Sequence, residues 1–471
     1  MTARVVPRRM VTPRIVTGGR SATIDPLKHS QPLGAALAFL GLARCMPIMH
    51  GSQGCASFAK ALLTRHFNEP VPLQTTAVTE VSHVLGAGDS LVAAVGAVAA
   101  KQRPDFVGVC TTGLTEVSGE DVVGVLRVVC DERDDADPWV VHVSTPDFRG
   151  GLTDGWEAAL GAVVAAVPLD DSTAALSVGP PPDPTRGRRD DAVVAFLVGP
   201  SLSAVDLDEL SGLARCFGLD PIVVPDLSGS LDGHLADAWS PVTTGGTTID
   251  DLRRLGAAVS VQAAGATAAG AAGALSDRTG AAASVHPHLG GLEATDALVA
   301  ELLDLSGAEA PPSVRRWRAR LTDGLLDTHF VLGGARVALA LEPEQLAAVS
   351  AVLHEVGAEV VAAVSPTDHG VLADAWCDEI VIGDFADLEE RADEAGAELV
   401  IASSHARATV ARLGCAHLEL GFPVFDRLGT QLRSSACYRG SLELLVDAAN
   451  RLLEHAGAHS SEHTNLEELS C

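Results

Sequence analysis

Residues 192–224 read AVVAFLVGPSLSAVDLDELSGLARCFGLDPIVV, and this stretch decides the fold. The β-branched apolar runs Ala192–Val198 and Ile222–Val224 predict strands, and the apolar spacing of Asp206–Phe217 between them predicts an amphipathic helix. Both predicted strands are apolar throughout instead of alternating, which is typical of parallel strands that are covered on both faces. The stretch therefore predicts a strand–helix–strand unit of an α/β fold.

The same pattern occurs once before this stretch and once after it. Upstream, a predicted helix at Val122–Val129 separates predicted strands at Phe106–Cys110 and Trp139–Val143. Downstream, the predicted elements are helix Ser313–Leu326, strand Arg336–Leu341, helix Glu344–Val356, and strands Glu359–Val364, Glu379–Ile382 and Glu398–Ile401. In folds of this kind, ligands bind at the loops that follow the carboxyl ends of the strands. Those loops are where functional residues are expected.

Three copies of one pattern predict three Rossmann-like domains, each a parallel sheet flanked by helices. The segment Gly179–Asp191 is rich in Pro, Arg and Asp and predicts the linker between the first two domains. The predicted domains span residues 26–185, 190–312 and 313–456. The Arg-rich residues 1–25 predict a disordered arm, with a transit peptide as the alternative, and residues 457–471 predict a flexible tail.

Composition excludes several classes of function. The chain has 33 Lys and Arg against 61 Asp and Glu, a net charge of −28, whereas binding to nucleic acid or anionic lipid needs clustered basic residues. The longest uncharged stretch, Leu255–Ser276, is mainly Ala and Gly and is too weakly apolar to remain in a bilayer. The nine cysteines, an odd number without a CxxC pair, predict a reducing, cytoplasmic location instead of a disulfide framework.

The most informative loop follows the apolar run Cys45–Met49. A Gly-rich turn, His50–Gly54, comes next, and Cys55 stands where another predicted helix begins. Gly51 and Gly54 allow tight backbone geometry and the close approach of a bulky ligand. A thiol at a helix N-terminus is stabilised as the thiolate, the form that binds metal. Cys55 is therefore a candidate metal ligand, and the alternative is a buried, unreactive cysteine.

Other residues give weaker signals. Cys45 and Cys110 lie in predicted strands and are expected in the core. His286 and His288 have the spacing of metal ligands, but Pro287 and the following glycines predict a loop with solvated imidazoles. The sequence contains no GxxxxGKS/T phosphate loop, no GxSxG elbow and no HExxH motif. Nucleotide hydrolysis on a phosphate loop is therefore excluded.

Two segments, residues 26–74 with the signature HGSQGC at 50–55, and TTGLTEVSGED at 111–121, resemble the nitrogenase component-1 superfamily. Further similar stretches are STPDFRGG at 144–151, VPDLSGSLDGHL at 224–235, LLDTHF at 325–330 and SSHARATVARLGCAHLELGFPVFDRLG at 403–429. Within the superfamily, the chain is similar to the scaffold subunits on which the iron–molybdenum cofactor is assembled. The resemblance implies the three-domain Rossmann-like fold and a scaffold role without catalytic residues.

The resemblance also implies cofactors and partners. A homologous E subunit would pair with this chain in an α2β2 heterotetramer and share an interfacial [4Fe–4S] cluster, to which this chain gives Cys55. The cofactor precursor would be held mainly by the E subunit, and the nitrogenase iron protein and the proteins that donate and carry the precursor would be further partners. The residues agree with this, because one well-placed thiol cannot provide the roughly four ligands of such a cluster.

Two other functions remain open at the level of sequence. The chain could be the β subunit of a catalytic nitrogenase-like oxidoreductase. In that relative, cysteines that bind an eight-iron cluster stand where this chain has Ser30 (in HSQPLG) and Gly113 (in TTGLTE), which counts against this function. A Rossmann-type module that binds a nucleotide or a sugar is the third hypothesis, and it predicts a protein without iron.

Overall fold

Three parallel β-sheets with helices packed against them organise the chain. The computed structural model describes residues 12–18, 26–131, 138–169, 192–235 and 237–468. Every pair of neighbouring strands in the three sheets is parallel, so the predicted α/β class with parallel sheets is confirmed. Within the described ranges, no helix has the length and apolar character needed to cross a bilayer.

The first described strand, β1 (Arg14–Thr17), belongs to the third sheet. The first sheet consists of β2 (Cys45–His50), β3 (Gln74–Thr75), β4 (Phe106–Thr111) and β5 (Trp139–Val143), in the order β3-β2-β4-β5. Its helices are α1 (Gln31–Leu40), α2 (Gln53–Phe67), α3 (Glu80–Leu85), α4 (Gly88–Gln102), α5 (Gly113–Ser118), α6 (Val122–Asp131) and α7 (Leu152–Ala166).

The second sheet consists of β6 (Ala192–Val198), β7 (Leu219–Val224), β8 (Ser260–Ala264) and β9 (Ala282–His286), in the order β7-β6-β8-β9. Its helices are α8 (Ala204–Cys216), α9 (Ile249–Arg254), α10 (Ala269–Thr279) and α11 (Leu292–Ser306). The strand β8 and the helix α10 fall largely in the Ala- and Gly-rich stretch that the sequence analysis left unassigned.

The third sheet adds β10 (Arg336–Ala340), β11 (Glu359–Ser365), β12 (Glu379–Ile382), β13 (Leu399–Ala402) and β14 (Ala416–Glu419) to β1. The strand order is β1-β12-β11-β10-β13-β14. Its helices are α12 (Pro312–Leu332), α13 (Pro343–Val356), α14 (Phe385–Ala395), α15 (Arg407–Leu413) and α16 (Cys437–Glu468). Apart from β1, each sheet lies within one predicted domain, while the exact domain limits stay predictions.

The prediction of a disordered arm over residues 1–25 is wrong for Arg14–Thr17. These residues pair in parallel with Glu379–Ile382 of β12 and become the edge strand of the third sheet. The partly buried side chain of Val16 packs against the apolar cluster beneath that sheet, and Arg14 forms an ion pair with Glu379. A short β-branched segment is ordered here because the edge of β12 satisfies its backbone hydrogen bonds.

The predicted flexible tail is corrected for residues 457–468, because α16 continues to Glu468, while residues 469–471 lie outside the described part of the chain. Gly457 does not end the helix, since a single glycine costs a helix only about 1 kcal/mol relative to alanine. The preceding turns, whose Leu444, Leu445 and Ala448 are buried, hold the start of α16 against the core.

The carboxyl edge of the second sheet is closed by an acid from the third domain. Glu344, at the start of α13, is 1% exposed and accepts hydrogen bonds from Ser201, which follows β6, and from Thr267, which follows β8. Burial raises the pKa of the Glu344 carboxyl, and these hydrogen bonds partly lower it again. The loops that end β6 and β8 are therefore joined to α13 inside the chain.

Candidate functional site

The loops that follow the first sheet gather the predicted site residues. The neighbouring strands β2 and β4 pair in parallel over their whole length, and β4 pairs in the same direction with β5. Their carboxyl ends therefore meet at one edge. Cys55 follows β2, Gly113 follows β4, and Asp147 follows β5 at this edge, which we call the Cys55 edge.

Cys55 lies at the beginning of α2, as the sequence predicts. The helix has Ser52 as its N-cap residue, and Cys55 is the third helical residue. The thiol is half-buried, and its Sγ lies 3.4 Å from the Ser52 Oγ, which is its one hydrogen-bond contact among the described residues. The positive end of the helix dipole and the free N–H groups of the first turn favour a negatively charged group next to this position.

The two glycines of the turn differ in what surrounds them. Gly51 is buried, and a Cβ there would lie 2.1 Å from the Thr112 Oγ1, so the loop after β4 requires a glycine at this position. A Cβ on Gly54 would meet only the Ser52 Oγ, at 3.9 Å. Gly51 thus serves packing within this chain, whereas Gly54 leaves open space next to Cys55.

A polar network beneath the turn fixes its position. The buried His50 ring contacts the Thr76 Oγ1 through Nδ1 and the Glu120 Oε2 through Nε2, each at 3.0 Å. Burial lowers the pKa of His50, and Glu120 opposes this shift. The His50 carbonyl accepts hydrogen bonds from the hydroxyls of Thr112 and Thr115. The sequence analysis did not identify this network, although the HGSQGC and TTGLTEVSGED motifs contribute four of its five residues.

Ser30 and Gly113 place no thiol at the Cys55 edge. Ser30 is the N-cap of α1, and Gly113 opens α5. The Gly113 N–H donates a hydrogen bond to the Asp147 Oδ2 at 3.0 Å. The Asp147 carboxyl was not predicted as part of a site. Burial raises its pKa, while the Gly113 N–H and Lys28 lower it.

The expected core cysteines are confirmed, and one prediction about histidines is wrong. Cys45 and Cys110 are both fully buried, and burial raises the pKa of the Cys110 thiol to about 12. His286 is buried and bonds to the Gln262 Oε1 at 2.8 Å instead of facing solvent. His288 contacts the Gly290 carbonyl, and burial lowers its pKa to about 4. The β9 strand and the following loop pack both rings into the fold.

The Cys55 edge fits one corner of an iron–sulfur cluster. No group of three or more His, Cys, Asp or Glu side chains in the described part of the chain could hold a metal ion. A cluster needs about four ligands, so the described residues alone do not provide a full set around Cys55. A thiol half-open to solvent at a helix N-terminus is suited to provide one of these ligands.

Large apolar side chains are exposed in the segments that follow the four strands of the first sheet. Phe58 of α2 is 76% exposed, Val84 of α3 82%, Val117 of α5 73%, and Phe148, next to Asp147, 63%. Several exposed apolar residues in segments that leave the same edge of a sheet are typical of a surface that binds another protein. The Cys55 edge therefore has the character of an interface.

Comparisons with known proteins agree with this geometry. Residues 30–453 match the family described as nitrogenase component 1 type oxidoreductase. The chain is 42% identical over 441 residues to the nitrogenase iron-molybdenum cofactor biosynthesis protein NifN of Rhodobacter capsulatus, which covers 92% of this chain and 92% of that protein. It is 40% identical over 454 residues to NifN of Rippkaea orientalis, which covers 93% of this chain and 96% of that protein.

A solved structure shares the fold over nearly the full length. A chain of the structure called "Nitrogenase Cp1 at pH 6.5" superposes with a TM-score of 0.83 at 27% sequence identity, over 94% of this chain and 96% of that chain. The similarity spans all three sheets and is not confined to one Rossmann-like unit, so the order of the domains is shared as well.

Proposed function

The chain belongs to the nitrogenase component 1 type oxidoreductase family and, within it, to the NifN group, and from this premise we propose that it is a subunit of the scaffold on which the iron–molybdenum cofactor of nitrogen fixation is assembled. Its role is to hold and present metal groups during assembly. The full-length similarity to NifN proteins supports this role, as does the pattern of one metal-binding thiol within a protein-binding face.

Cys55 is proposed to give one ligand to a [4Fe–4S] cluster shared with a homologous E subunit. The observation that carries this proposal is the half-buried thiol at the start of α2, whose one hydrogen-bond contact within the described residues is with Ser52. When bound, the cluster supplies one-electron transfer. The Cys55 sulfur holds it, and the N–H groups at the start of α2 moderate its negative charge. Gly51 sets the loop and Gly54 keeps space open beside the sulfur.

The partner is proposed to bind over the exposed residues of the Cys55 edge, giving an α2β2 heterotetramer. Because ligands from both chains would hold the cluster, cluster binding and subunit association are thermodynamically linked. The cofactor precursor is assigned mainly to the E subunit. The nitrogenase iron protein and the precursor donor and carrier proteins are assigned as transient partners.

The variant Cys55→Ala tests the ligand assignment in the complex co-expressed with the E subunit under anaerobic conditions. We expect loss of the [4Fe–4S] EPR signal and of about four iron atoms per heterodimer, with the E subunit still co-purifying. Cys216→Ala is the matched control, because Cys216 is an exposed cysteine of the second domain. An unchanged signal in the Cys55→Ala complex would remove Cys55 from its role. An eight-iron cluster at the subunit interface of the wild-type complex, isolated without the cofactor precursor, would contradict the scaffold assignment.

A further inference from the structure

Asp147 occupies the part of the Cys55 edge where Gly113 leaves space. Its Oδ2 accepts the hydrogen bond from the Gly113 N–H. A Cβ placed on Gly113 would lie 3.3 Å from both the Cβ and the Oδ2 of Asp147, so the carboxyl group fills the space beside the start of α5. Gly113 directly follows Thr112, whose side chain packs on Gly51. Asp147 is therefore part of the same packed group of loops as the Cys55 turn.

The second carboxylate oxygen of Asp147 lacks a donor. Oδ1 is shut off from solvent and has no hydrogen-bond partner among the described residues. Lys28 attracts the carboxylate electrostatically, but in the described structure no hydrogen bond joins the two. Burying a hydrogen-bond acceptor without a donor costs free energy, because the acceptor loses its water and gains no partner. Such unpaired acceptors are rare in native proteins. The unpaired oxygen can therefore accept a hydrogen bond from a donor outside the described residues.

The surroundings of Asp147 limit what that donor can be. Phe148 follows Asp147 in the chain, Val117 lies on α5 after Gly113, and both are more than 60% exposed. Because Oδ1 is closed to solvent in the single chain, a partner must turn the carboxyl group outward to contact this oxygen, and in doing so it also covers Phe148. The other oxygen accepts from a neutral N–H group, and Lys28 attracts the carboxylate without forming a hydrogen bond to it in the described structure. In an apolar interface, a cationic side chain both pairs with this charge and donates the missing hydrogen bond.

We propose that Asp147 is the recognition point for a lysine or arginine side chain of the partner subunit, inserted beside Phe148 when the two chains close over Cys55. The inference rests on the proposed function for the identity of the partner. What is new is the ion pair by which the partner is recognised, and this ion pair does not require iron. The rival outcome is that Oδ1 is itself a ligand to iron.

The test measures how readily the co-purified complex dissociates on dilution, by mass photometry, in two backgrounds. One background is the cluster-loaded complex, and the other is the Cys55→Ala complex. Asp147→Asn keeps the size of the side chain. If the amide oxygen of the asparagine accepts the hydrogen bond from the Gly113 N–H, its NH2 group takes the place of Oδ1 and cannot accept from the partner's cation. Asp250→Asn is the control, since it removes one negative charge from a carboxylate on α9 that is 85% exposed.

We expect Asp147→Asn to raise the dissociation constant at least about tenfold in both backgrounds, and Asp250→Asn to change it less than about twofold. An unchanged dissociation constant for Asp147→Asn overturns the proposal. An effect seen only in the cluster-loaded complex, together with loss of iron, also overturns it and assigns Asp147 to the metal. Failure of the proposed function is seen separately, as a wild-type complex without the four-iron EPR signal.

Discussion

At the carboxyl edge of the second sheet, the loops after β6 and β8 converge on Glu344, whereas at the same edge of the first sheet the loops after β2, β4 and β5 leave Cys55 half-exposed. Both edges carry a carboxylate near a glycine. A Cβ on Gly199 would lie 1.9 Å from the Glu344 Oε1, and one on Gly113 would lie 3.3 Å from the Asp147 Oδ2. The Glu344 oxygens are fully engaged, and one Asp147 oxygen is not.

The Glu344 edge is therefore complete within the single chain, because its carboxylate has its hydrogen bonds, whereas the Cys55 edge is not. The edge at Glu344 contributes to stability, because its hydrogen bonds join two domains away from water. The Cys55 edge keeps a thiol, an unpaired oxygen and exposed apolar side chains, all of which another chain could satisfy. Mutations at the Glu344 edge should lower the stability of the folded chain. Mutations at the Cys55 edge should weaken its assembly with another chain.

The largest expected effect is that of Glu344→Ala. Removing this carboxyl leaves the Thr267 N–H and the hydroxyls of Ser201 and Thr267 buried without an acceptor, so we expect the free energy of unfolding to fall by about 3 kcal/mol or more. Urea denaturation followed by circular dichroism measures this change. Glu344→Gln, which keeps an acceptor oxygen, should cost clearly less, and a loss below about 1 kcal/mol for the alanine variant would mean that the edge is not closed by this residue.

Gly51→Ala should have the next largest effect. The new methyl group would collide with Thr112, so we expect a loss of about 2 kcal/mol in unfolding free energy from overpacking. Gly54→Ala is the matched control at the other glycine of the turn, and it should change stability by less than about 0.5 kcal/mol. The same urea titration measures both variants. Equal losses of unfolding free energy would contradict the conclusion that Gly51 is packed and Gly54 is open.

Acidification should weaken assembly through Asp147. A partner cation stabilises the ionised carboxylate, so its pKa in the complex lies below that in the free chain, and the resulting stabilisation is present at neutral pH. It is lost as the pH falls through the pKa of Asp147. We expect the dissociation constant of the Cys55→Ala complex to rise over this range, and that of the complex that also carries Asp147→Asn to stay nearly flat. Parallel pH profiles would show that another group titrates.

The last effect concerns His288, in the loop after β9 of the second sheet. Its pKa is about 4 in the folded chain, below the ordinary value for histidine, so the folded state prefers the neutral ring. Stability from this ring is complete above the ordinary pKa and is lost as the pH falls toward about 4. NMR titration of the ring should give the lowered pKa. The exposed His234 should instead give a pKa above the ordinary value for histidine, because Asp232 raises it.

The elements that the sequence predicts well are those with long apolar runs. Ala192–Val198 and Trp139–Val143 are strands with the bounds that were expected, because continuous β-branched residues identify strands of a covered parallel sheet. The strand Ser260–Ala264 escaped prediction because its SVQAA sequence has a single β-branched apolar residue. Its burial comes from β6 and β9 on either side, which a local pattern does not reveal.

At the candidate site too, some residues could be predicted from the sequence and others could not. The position of Cys55 at a helix N-terminus follows from a local motif, so it could be predicted. Asp147 could not, because its contact with Gly113 joins residues that are 34 positions apart and that follow different strands. The link between Glu344 and Ser201, 143 positions apart, escaped for the same reason. Contacts that depend on how strands are ordered in a sheet require the three-dimensional arrangement.

The position of β1 has a consequence for synthesis of the chain. Arg14–Thr17 pair with residues 379–382, so the ribosome must add 365 residues after Arg14 before its neighbour Glu379 exists. During that interval its backbone groups remain exposed to water or to other polypeptides. The final sheet can therefore close at its outer border only late, and nascent chains halted before that point would carry an unpaired leading segment.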